Sequence, residues 1–318
     1  MKGAIITCEL LGPGHKISGK IMPTFYFPTF ARVLKDRGLV HHETYSLEQL
    51  RNVRSDVKNT IVVLIHSETY LNTAPEYLAR VRELESYATE RFGERCVIHP
   101  TRVGLKIGDK AAANQWLSAA GIPMPSLLDG KRALSKVFSN QRVGTNTPIQ
   151  LVATGGPLNA KRYNTKFIDT THEYNGKPYY VSLRAMGVGR RCVAAYARMR
   201  PVAGGPSVHD ADTPRDPKLI NHFHQELVAK RMPELRELSG RLGQVLGLGF
   251  YAHDILPEAK TGNLYLCETG YKVDESHLRS HLKPLREQLV FRDSLFEPFA
   301  EASAKAFLDE VARLKLLS

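Results

Sequence analysis

Residues 247–270 read GLGFYAHDILPEAKTGNLYLCETG, and no other stretch restricts the fold as much. Two short apolar runs, FYAHDIL and LYLCET, flank a turn-rich insert containing Lys260, Gly262 and Asn263. That pattern predicts two strands joined as a hairpin. Each run carries one carboxylate near its end, Asp254 and Glu268, among residues that belong in a core. A carboxylate in such a strand is costly unless something positive pairs with it. Two of them facing each other, in a chain with 44 Lys and Arg against 32 Asp and Glu, point to a divalent cation held by oxygen. Mg²⁺ is usually bound by one or two carboxylates together with phosphate oxygens and water. The hairpin therefore predicts a metal–nucleotide site.

The first hundred residues alternate strand and helix. Apolar strands are expected at 2–8, 40–45, 59–66 and 96–99, and helices at 27–37, after the Ser46 cap, and at 75–92. Gly38 and Gly93 stop two of those helices. This alternation predicts a parallel sheet covered by helices, a small Rossmann-like domain over residues 1–104. An amphipathic helix over 108–121, with Asp109 near its start, leads into GIPMPSLLDG, whose prolines mark a crossing to a new unit. Strands then dominate, at 137–139, 149–153, 163–168, 179–186 and 192–198. A Gly- and Pro-rich loop over 201–217 and a helical region over 219–246 precede the hairpin.

At 318 residues the chain exceeds one comfortable core. Its longest apolar stretches, such as 60–66, are too short to span a bilayer. The opening MKGAIITCELLGPG has no signal-cleavage pattern, and Cys8, Cys96, Cys192 and Cys267 show no CxxC spacing. A reduced, cytoplasmic setting is expected. The formal charge of +12 is spread along the chain, densest at Arg184, Arg190, Arg191, Arg198 and Arg200 on expected strands. Such a cluster suits a small polyanion. No nucleic-acid recognition motif accompanies it.

Other motifs have plainer readings. Residues 14–21 match a phosphate-binding loop except that Ile21 stands where a hydroxyl is needed, and Pro23 and Pro28 break the helix that should follow. His222 and His224 project about 200° apart on a helix of ~3.6 residues per turn. They and the His41–His42 pair read as solvated. Ser207, His209 and Asp210 are chain neighbours, and a triad is recognised by geometry.

The order of segments resembles the ATP-grasp superfamily over about residues 101–271. IGDKAAANQWLSAAGIPMP resembles its Lys-bearing helix, and LSKVFSNQRVG its first lid strand. TKFIDTTHEYNG resembles the adenine-gripping hinge, and YYVSLRAMGVGRRCVAAYARMRP the Arg-bearing strand pair of ligases that add amino acids to a terminal carboxylate. FYAHDILPEAKTGNLYLCETG resembles the metal hairpin. The resemblance implies an α/β chain in which the Rossmann-like domain precedes an ATP-grasp fold over 105–318. Two α+β subdomains would clamp the nucleotide, with a lid at about 125–170.

By position, the resemblance assigns Lys110 and Lys136 to the ATP phosphates. The main chain around Lys166, Phe167 and Ile168 falls to the adenine, and Asp169 to the ribose. Arg184 and Arg198 become catalytic residues beneath the γ-phosphate, and Asp254 and Glu268 become Mg²⁺ ligands. The implied activity is ADP-forming ligation of a small-molecule carboxylic acid to an amine. A homodimer is open, with no nucleic-acid or membrane partner. A small-molecule kinase and an inactive nucleotide-binding module are the alternatives. The sequence departs from the family where Lys166 replaces a usual Glu, and where Glu268-Thr269-Gly270 replaces Glu-x-Asn. The loop after Lys136 is also poor in glycine.

Overall fold

Runs such as Thr60–Ile65 have no polar face to offer water, so they must be covered on both sides. The computed structural model describes residues 3–10, 26–144, 149–209, 212–271 and 282–317. In it β1 (Gly3–Glu9), β2 (Leu39–Thr44), β3 (Thr60–Ile65) and β4 (Val97–Ile98) form a parallel sheet in the order β2-β1-β3-β4. Helices α1 (Tyr26–Asp36), α2 (Leu47–Asn52), α3 (Glu68–Thr73) and α4 (Pro75–Phe92) alternate with these strands. Ser46 caps α2 through the Gln49 N–H, and Gly93 ends α4 at φ 91°.

The helix expected over 108–121 is two helices, α5 (Thr101–Gly108) and α6 (Lys110–Ala119). The break is Asp109, which is extended and whose carboxylate accepts from the Ala111 and Ala112 N–H groups. Its short acidic side chain caps a new helix better than it continues an old one. Lys110 thereby becomes the first residue of α6.

A three-stranded antiparallel sheet follows, β6-β5-β7, from β5 (Val137–Asn140), β6 (Gln150–Val152) and β7 (Tyr163–Lys166). The larger antiparallel sheet runs β10-β9-β11-β12, with β8 (Thr171–Tyr174) also on β9. Its strands are β9 (Lys177–Val188), β10 (Arg191–Pro201), β11 (Phe250–Pro257) and β12 (Leu264–Tyr271). The helical region before β11 is not continuous. After α7 (Pro217–Phe223) the chain widens into a π turn, His224–Ala229, before α8 (Met232–Leu246). Pro233 has no N–H to give the preceding turn, which accounts for the interruption.

The last helix, α9 (Glu297–Arg313), returns to the first sheet. Phe307 stacks on Phe250 of β11 and meets Phe30 of α1 edge-on. One apolar cluster therefore joins the parallel sheet, the larger antiparallel sheet and α9. Among the described residues no helix is long and apolar enough to cross a membrane.

Two expectations about polar side chains are corrected. His224 is buried and stacks on Phe291 with centroids 3.9 Å apart, so it is not solvated. His41 packs edge-on against Phe30 and shares a 3.0 Å hydrogen bond with Thr7 Oγ1. The Arg cluster also divides. Arg190 and Arg191 sit exposed where β9 turns into β10, and Arg191 pairs with Asp309. Residues 14–21 lie outside the described residues.

Candidate active site

Strand alternation sends every second side chain to one face of the larger sheet. On β9 that face carries Tyr180, Ser182 and Arg184, and on β10 it carries Arg198 and Arg200. Cross-strand pairing sets Ser182 beside Arg198, Arg184 beside Asp254, and Asp254 beside Glu268. A cavity of about 360 Å³ lies over this face and is closed on the other side by β5 and β7. The strand register breaks between Asp254 and Ile255, leaving Cys267 as an extra residue on β12. Such a bulge re-aims side chains. Here it lets the consecutive residues Cys267 and Glu268 both line the cavity.

Asp254 is the electrostatic centre of the face. Arg184 grips it with two hydrogen bonds, Nε to Oδ1 at 2.8 Å and an NH2 nitrogen to Oδ2 at 3.0 Å. Arg198 adds a contact to Oδ1 at 3.0 Å and donates to Ser182 Oγ at 2.9 Å. Burial pushes the Asp254 carboxyl upward, but the attraction of Arg198 and Arg184 outweighs it and holds the group well below the usual range. The positive partner demanded by a buried carboxylate is thus a pair of guanidinium groups. Arg198 Nε is buried without a hydrogen-bond partner among the described residues.

Lys110 reaches the same centre from the start of α6. Its Nζ lies 3.5 Å from Glu268 Oε2 and donates to the Gly144 carbonyl at 3.0 Å. Gly144 belongs to the loop after β5, which Arg142 fastens to Asp109 through a charge-assisted pair at 2.6 Å. At the far end Lys166, Phe167 and Ile168 line the cavity. The Phe167 N–H is spent on the Lys136 carbonyl.

Lys136 and Asp169 stand apart from the lining. Lys136 is exposed, with its ammonium 4.0 Å above the Phe167 ring. Asp169 is exposed and accepts from the Thr171 N–H. Sequence reasoning left Tyr180, Ser182 and Arg200 out of the site, although the two-residue spacing from Arg184 and Arg198 points to them. It also missed the pairing of Ser207 Oγ with His209 Nε2 at 2.8 Å, in a loop that Arg200 holds through the Ser207 carbonyl.

Oxygen donors suit a hard cation, although both Asp254 oxygens already contact arginine. Glu268 faces the cavity with its side chain 42% exposed, and Asp254 lies opposite it in register. Among the described residues, no three His, Cys, Asp or Glu side chains gather to hold a metal on protein atoms alone. Phosphate and water oxygens complete a Mg²⁺ shell in such sites.

Neither a family model nor a curated protein matches the chain in sequence. Solved structures match its shape. The chain has the ATP-grasp fold. The Chryseobacterium gregarium RiPP-associated ATP-grasp ligase, solved with ADP and a leader and core peptide, superposes with a TM-score of 0.52 at 12% identity, covering 98% of this chain and 97% of that one. D-alanine–D-alanine ligase from Bacillus anthracis gives 0.51 at 10% identity over 98% of each chain. The ATP-grasp ligase PsnB, complexed with precursor peptide PsnA2 and AMPPNP, gives 0.51 at 11%, over 95% of this chain and 97% of that one.

Proposed function

We propose that the protein is an ATP- and Mg²⁺-dependent ligase that activates a carboxylate as an acylphosphate for attack by an amine. The observation that carries this reading is the convergence of Lys110, Arg184 and Arg198 with Asp254 and Glu268 in one cavity between two sheets. Residues 1–104 serve as a Rossmann-like domain and 105–318 as the ATP-grasp domain, with a lid at about 125–170.

Lys110, as a point charge, and the N–H donors of Arg184 and Arg198 that Asp254 does not take hold the phosphates. Asp254 fixes the direction of both arginines, so their donors are in place as charge spreads over the transferring group. Asp254 and Glu268 would hold Mg²⁺, which when bound would supply neutralisation of the phosphate oxygens. A substrate carboxylate oxygen bonds to the γ-phosphorus and ADP leaves. The amine then bonds to the acyl carbon, inorganic phosphate leaves, and the amine gives up a proton. Lys166, Phe167 and Ile168 border the adenine, and the loop carrying Ser207 and His209 borders the acceptor.

The test is mass spectrometry of reactions containing ATP, Mg²⁺ and pooled acids, amines and acidic peptides. Peptides belong in the pool because two of the similar structures hold them. ATP-dependent condensation products are expected. ADP formation accompanied only by a phosphorylated alcohol would replace this reading with a kinase.

A further inference from the structure

Asp109 serves two neighbours at once. Its Oδ1 accepts from the Ala111 and Ala112 N–H groups at 2.9 and 3.2 Å, which starts α6 with Lys110 as its first residue. The same carboxylate receives Arg142 from the loop after β5, Nε to Oδ1 at 3.3 Å and an NH2 nitrogen to Oδ2 at 2.6 Å. The main chain closes the same seam. The Lys110 N–H donates to the Arg142 carbonyl at 2.9 Å, and Asp109 pairs antiparallel with Val143. Gly144 follows at φ 72°, a left-handed conformation that glycine adopts without strain, and its carbonyl accepts from Lys110 Nζ at 3.0 Å.

Arg142 and Asp109 stand outside the cavity, but Lys110 and Asn140 line it. Asn140 ends β5 two residues before Arg142. The Lys110 side chain is 11% exposed, and its ammonium sits between the Gly144 carbonyl and Glu268 Oε2. A lysine stem is flexible, so the position of its charge is set by what it bonds. Of these two partners, Glu268 alone stays if the loop moves. A loop rich in glycine can bring its own N–H groups close to phosphates. The stretch SNQRVG over 139–144 has one glycine and carries an arginine. Here the arginine ties the loop down, and the charge offered to the phosphates comes from Lys110.

We infer that Arg142 is a positioning residue for the outer phosphates of the nucleotide. By clamping the loop after β5 onto Asp109 it fixes the Gly144 carbonyl, and through it the Lys110 ammonium. This rests on the nucleotide site proposed above.

The experiment is calorimetric titration of AMPPNP and of AMP, with Mg²⁺ present, into the full chain. Wild type is compared with Arg142→Ala, Arg142→Lys, Asp109→Asn and the double variant Arg142→Ala/Asp109→Asn, with melting temperatures on the same preparations. Asn caps a helix about as well as Asp, so Asp109→Asn removes the ion pair and leaves α6 intact. Arg142→Ala and Asp109→Asn should each weaken AMPPNP binding about fivefold, which is what a half-exposed ion pair worth about 1 kcal/mol can supply. The double variant should be no weaker than either single one, because both remove the same pair. Arg142→Lys should recover part of the loss, and AMP, which lacks the outer phosphates, should bind all variants alike. Unchanged AMPPNP affinity in Arg142→Ala and Asp109→Asn would overturn the inference. So would an equal loss for AMP, which would mark the pair as a support of the whole cavity. Absence of AMPPNP binding by wild type would remove the nucleotide site itself and this inference with it.

Discussion

Arg198 shows how much one side chain is asked to do. It is 4% exposed and reaches both Asp254 and Ser182. Arg198→Lys keeps the charge but loses the planar fork, leaving a single nitrogen to serve Asp254, Ser182 and a phosphoryl oxygen. The variant should fold and turn over ~10²-fold more slowly, on the scale of losing one preorganised donor. Initial rates on the condensing pair found by mass spectrometry check this, and an unchanged rate would refute the role. His224 makes a different point. Burial lowers its pKa to about 4 from an ordinary 6.5, and its Nδ1 has no partner among the described residues. The unfolded chain therefore takes up the proton first as pH falls. The stability that neutral His224 contributes is complete above pH 6.5 and drains away between 6.5 and about 4. His224→Phe, which keeps the stacking on Phe291, should flatten part of the acid slope in melting temperature between pH 7 and 5. A slope identical to wild type would deny His224 any part in it.

Single elements carry the next predictions. In the β11–β12 hairpin, Glu268→Gln preserves side-chain size and should leave the melting temperature within the range of a surface change, about 0.5 kcal/mol. It removes a charge opposite Asp254, so Mg²⁺-dependent ADP release should nearly vanish. A fully active variant would remove the metal site from the proposal. A large loss of stability instead would show that Lys110 depended on Glu268 as a structural partner. The loop after β5 gives a paired test. Arg142 is half exposed, so Arg142→Ala should cost less than about 1 kcal/mol in urea unfolding. Asp109→Ala breaks the same ion pair and also uncaps α6, adding about 1 kcal/mol. Equal costs for the two variants would mean the cap contributes nothing.

At the scale of the whole molecule, α9 ties the parts together. Phe307 is fully buried between Phe30 of the first unit and Phe250 of the larger sheet. Phe307→Ala should cost ~3–5 kcal/mol as a cavity opens at that junction. Because the same apolar cluster serves both sheets, calorimetry should show one transition moving down as a whole. An early transition splitting away from an unmoved later one would mean that the sheets unfold independently.

Much of this was legible along the chain, for reasons that are local. Apolar runs such as Thr60–Ile65 can only be buried strands, and Gly93 can only end α4. The two carboxylates of the hairpin stood out because a core strand does not tolerate them alone. The order of five family-like segments points to the ATP-grasp fold. What escaped depends on contacts between residues far apart in sequence. That Asp254 is neutralised by Arg184 and Arg198 follows from the register of β9, β10 and β11, which no single strand specifies. That His224 is buried depends on Phe291, and that Lys136 lies over Phe167 depends on how β5 meets β7. The acceptor for the Tyr271 N–H comes from Glu68, far earlier in the chain. Sequence alone decides which segments must hide from water. Only packing decides which charges come to face one another.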